Sequence, residues 1–148
     1  MSLPGHGYPI LRSRKRGLKT HWTFEFVTRT LPCFNDLYTL LHRSGVKVIP
    51  HNIYEILTPI ALAHMIMADG SVQRHGLIIC TNSYSVQDVV RLINVLIIQY
   101  RLKCSLRLKK RQNNKIEYLI YIRQSSMSLL RTIVTPYFHS SMLYKISK

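Results

Sequence analysis

The chain has little acid. Six Asp and Glu stand against 21 Lys and Arg in 148 residues, a net charge of +15. Most of the cations therefore lack an internal partner, and the surface suits a polyanion. Cysteine is also scarce: Cys33, Cys80 and Cys104 are odd in number, widely spaced and without a CxxC pair. That excludes a disulfide framework and a zinc ribbon. HExxH, GxGxxG and GxxxxGK[ST] are absent, so metalloprotease, dinucleotide-binding and P-loop readings lack their signatures. The longest apolar stretches are residues 56–67, broken by Thr58, Pro59 and His64, and residues 92–98. Neither reaches the ~20 residues that span a bilayer. What is present is hydrophobe: 47% of residues, against 18% charged. A disordered basic tail has the opposite balance. The length allows one core, or two small halves sharing one.

The basic residues fall in two blocks. Residues 12–19 hold Arg12, Arg14, Lys15, Arg16 and Lys19, and residues 101–115 hold Arg101, Lys103, Arg107, Lys109, Lys110, Arg111 and Lys115; neither block holds an acid. No Lys or Arg occurs between Val48 and Gln73. The acid-free N-terminus has the composition of an organellar transit peptide. It runs directly into an alternating pattern, however, which favours a structural reading. In the second block Lys103, Ser105, Arg107, Lys109 and Arg111 alternate with Cys104, Leu106 and Leu108, predicting a strand with one basic and one apolar face. Residues 112–115 read as a turn. The return run 116–123 places Ile116, Tyr118, Ile120 and Ile122 on one face and Glu117, Leu119, Tyr121 and Arg123 on the other.

The first block repeats this plan. Residues 10–16 put Arg12, Arg14 and Arg16 on one face, Gly17-Leu18-Lys19 turns, and Trp22, Phe24 and Phe26 share the inner face of the return strand. A helix over residues 33–42 follows, with Gly45 as its stop. Hairpin then helix thus occurs twice, the mark of a pseudo-two-fold duplication. Thr58 caps and Pro59 opens a helix reaching about Ala68, ended by Gly70. Residues 77–81 read as a buried strand. Ser85 and Asp88 start a helix over residues 86–100. Ser125 or Ser126 caps another over residues 127–134, and a short element over residues 140–146 closes the chain.

The central helix reads Ala61-Leu62-Ala63-His64-Met65-Ile66-Met67-Ala68-Asp69-Gly70. It is apolar almost all round, which predicts burial. Ala61 and Ala68 share a face that would let a second helix approach closely. Asp69 falls at the negative end of the helix dipole, where a carboxylate needs a cation or a hydrogen-bond network. Asp-Gly is also a common turn pair. The whole string, however, resembles the signature helix of the LAGLIDADG homing endonucleases, in their larger-motif, organellar intron-encoded branch. Leu57-Thr58-Pro59, Cys80-Thr81-Asn82-Ser83-Tyr84-Ser85, Ile120-Tyr121-Ile122 and the closing His139-Ser140-Ser141-Met142-Leu143-Tyr144-Lys145-Ile146 are similar to the same branch, so the resemblance covers roughly residues 8–148. It departs at His64, where an aromatic is common, and at Ala68, where Asp or Gly is frequent.

The resemblance implies an α+β fold: a LAGLIDADG homing endonuclease-like αββαββα half over residues 56–148, preceded by a ββα remnant of the other half over residues 1–55, with the first signature helix missing. It implies Mg²⁺ as cofactor, held by Asp69 with help from the Ala68 carbonyl, and catalytic roles for Asp69, Lys145 and Lys47, the lysines acting on phosphate or water. It implies double-stranded DNA as partner, with Arg12, Arg14, Arg16, Gln73, Arg74, His75, Ser105, Arg107, Lys109 and Glu117 toward the major groove and Ala61 and Ala68 at the helix interface. A mitochondrial location follows from the family. With one signature helix the chain is expected to be weak or inactive alone, a complementary first half or a second copy being a further partner. The rival class is a non-catalytic intron RNA maturase. A membrane-surface protein ranks third, since no amphipathic basic helix is evident.

Overall fold

Alternation of side chains settles the strands, and turn chemistry settles where they reverse. The computed structural model describes residues 9–27, 31–110 and 116–147, with the backbone alone at Arg16. It divides into two compact units, Met1–Thr39 and Leu40–Lys148.

In the first unit β1 (Ile10–Arg16) pairs antiparallel with β2 (Lys19–Glu25). Gly17 has φ 60° in the two-residue loop, a conformation that glycine adopts without steric cost. The register sets Arg12 opposite Thr23, Arg14 opposite His21 and Arg16 opposite Lys19. These positions form one face; Leu11, Ser13, Trp22 and Phe24 form the other. The alternation is therefore as expected, but the burial is not. Trp22 is 64% and Phe24 77% exposed; within its own unit, among the described residues, this two-stranded ribbon has no second layer over its apolar side. The helix α1 (Cys33–Leu41) likewise buries none of its residues.

The second unit corrects the reading of Gly45 as a helix stop. α1 ends at Leu41, and the chain forms a small hairpin of β3 (His42–Arg43) and β4 (Val46–Lys47). Ser44 and Gly45 both have positive φ, 51° and 76°, as a two-residue turn matched to strand twist requires. A short helix α2 (Ile53–Ile56) leads to α3 (Pro59–Asp69). Thr58 Oγ1 accepts the Ala61 N–H at 3.3 Å, with Pro59 opening the helix. The buried Tyr100 hydroxyl donates to the Leu57 carbonyl and anchors this start. α3 is not buried all round: Leu62, Ala63 and Ile66 face the core, while Ile60, His64, Ala68 and Asp69 are exposed.

From α3 onward the order is αββαββα. β5 (Gly70–Gln73) and β6 (Gly76–Cys80) precede α4 (Val86–Ile98); β7 (Cys104–Lys110) and β8 (Ile116–Arg123) precede α5 (Met127–Val134). The strands form one antiparallel sheet ordered β5-β6-β8-β7. Ser85 caps α4 as expected, exchanging hydrogen bonds with the Asp88 N–H and carboxylate at 3.2 and 2.9 Å. Ser126 does not cap α5; its hydroxyl accepts the Lys103 N–H at 2.8 Å, and α5 grows out of a 3-10 turn over Gln124–Ser126.

The core lies on one face of the sheet. Leu77, Ile79, Ile120 and Ile122 pack with Val89, Leu92 and Leu96 of α4, Leu62 and Ile66 of α3, and Leu130 and Val134 of α5. This face thins toward the β7–β8 tip. Cys104 is half-buried, but Leu106 is 37% and Leu108 65% exposed, so β7 does not bury the apolar face expected of it. β7 is the edge strand, and its far end lacks the helical cover that Ile120 and Ile122 enjoy. The turn expected at residues 112–115 lies outside the described residues. Among those described, no helix is long and apolar enough to cross a membrane.

Candidate functional site

Two features of the second unit carry charge into solvent without burying it in the core: the C-terminal end of α3 and the outer face of the sheet.

At the first, Asp69 is the last residue of α3 and is exposed. Gly70 ends the helix in an extended conformation, φ −76° and ψ 141°, with its N–H on the Ile66 carbonyl. It is needed for space: a Cβ there would lie 2.4 Å from the Ile66 oxygen and 2.8 Å from the Ile66 Cγ2. A cation reaches this helix end from the end of the chain. Lys145 Nζ donates to the Met67 carbonyl at 2.5 Å and approaches the Ala68 carbonyl at 3.4 Å. An ammonium there satisfies last-turn carbonyls and opposes the negative pole of the helix. Lys145 is held in place on both sides. Before it, the His139 N–H meets the Met67 Sδ at 3.4 Å, and His139 Nδ1 accepts from the Ser141 N–H at 3.3 Å. After it, Arg131 Nε of α5 donates to the Ile146 carbonyl at 2.6 Å, and the Ile146 side chain is buried. Tyr84 lies within the field of this end: burial, then the Asp69 charge, then Asp88, push its phenol above the usual 10.0.

Lys47 is placed differently. It is exposed on β4, paired with His42, and no hydrogen bond among the described residues ties it to α3. Nor do three metal-ligating His, Cys, Asp or Glu side chains come together among the described residues. Asp69 brings one carboxylate to the end of α3, and a metal on the Ala68 carbonyl would have to share it with Lys145. The described residues therefore do not bring together the side-chain ligands of a metal site.

The second feature follows from strand register. Ser105, Arg107 and Lys109 stand opposite Tyr121, Leu119 and Glu117; Ile78 and Cys80 stand opposite Tyr121 and Leu119; Gln73 stands opposite Gly76. All lie on the face away from the core. Arg107 and Lys109 are exposed, Ser105 and Gln73 are half-buried, and Arg74 and His75 form the exposed β5–β6 turn. Glu117 shares this face by register but is 5% accessible, with Lys109 opposite it on β7. On the separate hairpin Arg12 and Arg14 are exposed beside His21 and Thr23, and Arg12 forms an ion pair with Glu25; the Arg16 backbone pairs with Lys19.

A model of the LAGLIDADG DNA endonuclease family matches residues 5–130 of this chain. The chain belongs to that family. An intron-encoded endonuclease of Dictyostelium discoideum, ai4, is 36% identical over 140 residues, which cover 94% of this chain and 86% of the relative. The cytochrome b mRNA maturase bI2 of Saccharomyces cerevisiae is 34% identical over 146 residues, covering 93% of this chain and 34% of that protein. The homing endonuclease I-WcaI, solved bound to its DNA recognition sequence, superposes with a TM-score of 0.81 at 27% identity, over 95% of this chain and 64% of that one. The chain thus spans about a third of the yeast maturase and under two thirds of I-WcaI. The α+β architecture is that of the family.

Sequence reasoning had Lys145 at the Asp69 site but missed the backbone carbonyls that hold it. It also missed Tyr84 and Tyr121. Tyr121 was legible as an outward residue of β8; nothing in the alternation says what an outward tyrosine touches.

Proposed function

We propose that this chain is a double-stranded DNA-binding protein of the homing endonuclease type, and that it hydrolyses phosphodiester bonds with Mg²⁺ when a second signature carboxylate is supplied. The observation that carries the reading is Asp69, exposed at the end of α3 beside the ammonium of Lys145. In this reading Asp69 provides one carboxylate of a shared Mg²⁺ site, with the Ala68 carbonyl beside it. The ion would activate water and stabilise the leaving oxygen. Lys145 holds the last turn of α3 so that the carboxylate points outward, and its positive charge lies where a phosphate would approach. Lys47 takes the equivalent role for the first half. Arg107, Lys109, Ser105, Gln73, Arg74 and His75 supply phosphate and base contacts, as do Arg12, Arg14 and Arg16 on their hairpin. The domain division into residues 1–55 and 56–148 belongs to this proposal, as does a mitochondrial location, which rests on the intron-encoded relatives.

Two carboxylates are needed because one cannot hold the ion against a phosphate on both strands. On α3 the exposed Ile60, His64 and Ala68, with the half-buried Ala61, offer a face on which a second helix can pack. The isolated chain is accordingly weak or inactive as a double-strand nuclease. The test is cleavage of an intronless allele of the host gene by the purified chain, with and without a complementary half carrying its own signature Asp. Mg²⁺-dependent cutting only in the mixture, lost in Asp69→Asn, supports the reading. Efficient double-strand cutting by the monomeric chain alone overturns it.

The second reading, an intron RNA maturase, draws on the 34% identity to the yeast maturase over 93% of this chain. Splicing rescue that survives Asp69→Ala would favour it, because RNA binding needs the basic surface and not the carboxylate.

A further inference from the structure

Three observations meet at one residue to which the site described above gives no role. The Arg107 guanidinium stacks over the Tyr121 ring, 3.5 Å from its centroid. The Tyr121 hydroxyl donates to the His75 carbonyl at 2.6 Å, in the β5–β6 turn. The edge of the ring passes over Gly76, where a Cβ would lie 3.1 Å from Tyr121 Cε2 and 3.2 Å from its hydroxyl oxygen. Gly76 also has φ 148°, and the same Cβ would lie 2.2 Å from the Ile122 carbonyl. Close packing of the strands and the seat of the ring therefore both require glycine at this position.

The register explains the meeting. Arg107 is opposite Leu119, so Tyr121 is its diagonal neighbour on the same face; Ile78 of β6 is directly opposite Tyr121 on the other side. Tyr121 is half-buried, and its ring links β7, on one edge of the sheet, to the turn that joins β5 and β6. An arginine stacked on an aromatic face keeps its planar donor fork free while losing most of its rotational freedom. A turn pinned through one carbonyl holds its neighbours in a fixed place.

We propose that Tyr121 is a positioning residue for sequence recognition: it orients Arg107 and fixes the Gln73–His75 turn toward the duplex without itself reading a base. This rests on the outer sheet face being the DNA interface. A carbonyl pinned by a hydroxyl and a guanidinium stacked on the same ring make two readout elements depend on one side chain. Losing the ring then blurs preferences at two sets of base pairs, and losing only the hydroxyl blurs one.

The experiment uses the purified full chain and a double-stranded DNA library with a randomised core, read by selection and sequencing, together with one fixed duplex for salt titration. Tyr121→Leu is expected to lower discrimination about tenfold at the base pairs that Arg107→Ala also affects, the size of one lost bidentate contact. Its salt slope on the fixed duplex stays that of the wild type, because no phosphate contact is removed. Tyr121→Phe keeps the ring under Arg107 and is expected to retain preference at those base pairs while losing about twofold at a separate set contacted by the turn. Selection by Tyr121→Leu of the wild-type motif with undiminished discrimination overturns the proposal. Where the Leu variant fails to fold, Tyr121→Phe decides alone: a selection identical to the wild type's overturns it. Wild-type chain that binds no duplex overturns the interface reading beneath it, a failure distinguished by its appearance before any substitution.

Discussion

Asp69 and Lys145 occupy the same helix end with opposite thermodynamic consequences, and their substitution separates function from stability. Lys145 donates to Met67 and Ala68 carbonyls at 2.5 and 3.4 Å from a partly exposed position. A hydrogen bond from a charged donor contributes ~1.5–3 kcal/mol, and a cation at a helix C-terminus ~0.3–1 kcal/mol under solvent screening. Discounting for exposure and for water replacing the ammonium, Lys145→Met should cost about 1.5 kcal/mol, or ~6 °C in Tm for a domain of this size. Asp69 has the reverse effect. Its carboxylate stands at the negative end of α3, and no ion pair joins it to Lys145 among the described residues. Asp69→Asn should therefore stabilise, by ~0.3–1 kcal/mol, while abolishing any cleavage. Thermal unfolding followed by far-ultraviolet circular dichroism gives both values, and amide exchange localises the first change to the last turn of α3 and to β5. A Lys145→Met chain melting within 1 °C of wild type would sink the helix-end argument. An Asp69→Asn chain that melts several degrees lower would mean that the carboxylate has a structural partner and is not held for chemistry.

Other outcomes follow from the same structure. Tyr84's phenol is raised by burial first and by the Asp69 charge second, so Asp69→Asn should move its titration back toward 10, read as the tyrosinate absorbance difference between chains with and without Tyr84→Phe. Because the folded value lies above the unfolded one, stability from the neutral phenol is fully present below pH 10 and is lost as pH rises through the folded value. Cys33 and Cys80 are exposed, whereas burial pushes the Cys104 thiol up to about 12; a maleimide at pH 7.5 should label the first two rapidly and Cys104 slowly, with duplex DNA protecting Cys80 on the outer sheet face. Equal labelling of all three would contradict the burial of Cys104. Ile120→Ala, at a fully buried position of the inner strand β8, should cost ~2–5 kcal/mol in urea unfolding, whereas Leu108→Ala, at a 65% exposed position of the edge strand, should cost under about 1 kcal/mol.

Local patterns decide local structure, and there the chain is plain to read. Alternation in β1, β7 and β8 assigned every outward and inward position that the registers later bore. Thr58-Pro59 and the Ser85–Asp88 pair announced the starts of α3 and α4, because a cap is a contact within one turn and needs no distant partner. The central helix and the closing residues 139–146, through their resemblance to a family, put forward Asp69 and Lys145 as candidates for one site. Whether an outward or inward position is covered depends on what packs over it, and that is a non-local fact. Trp22 and Phe24 read as core and are exposed. Leu106 and Leu108 read as core and run off the edge. Glu117 reads as surface and is 5% accessible. Only the tertiary structure decided that Lys145 closes on carbonyls 77 and 78 positions earlier in the chain. It alone set Tyr121 to bridge Arg107 and His75, 46 residues from the latter. Period and capping are encoded in neighbouring residues; long-range pairing is encoded in the sum of a core, which no window of sequence contains.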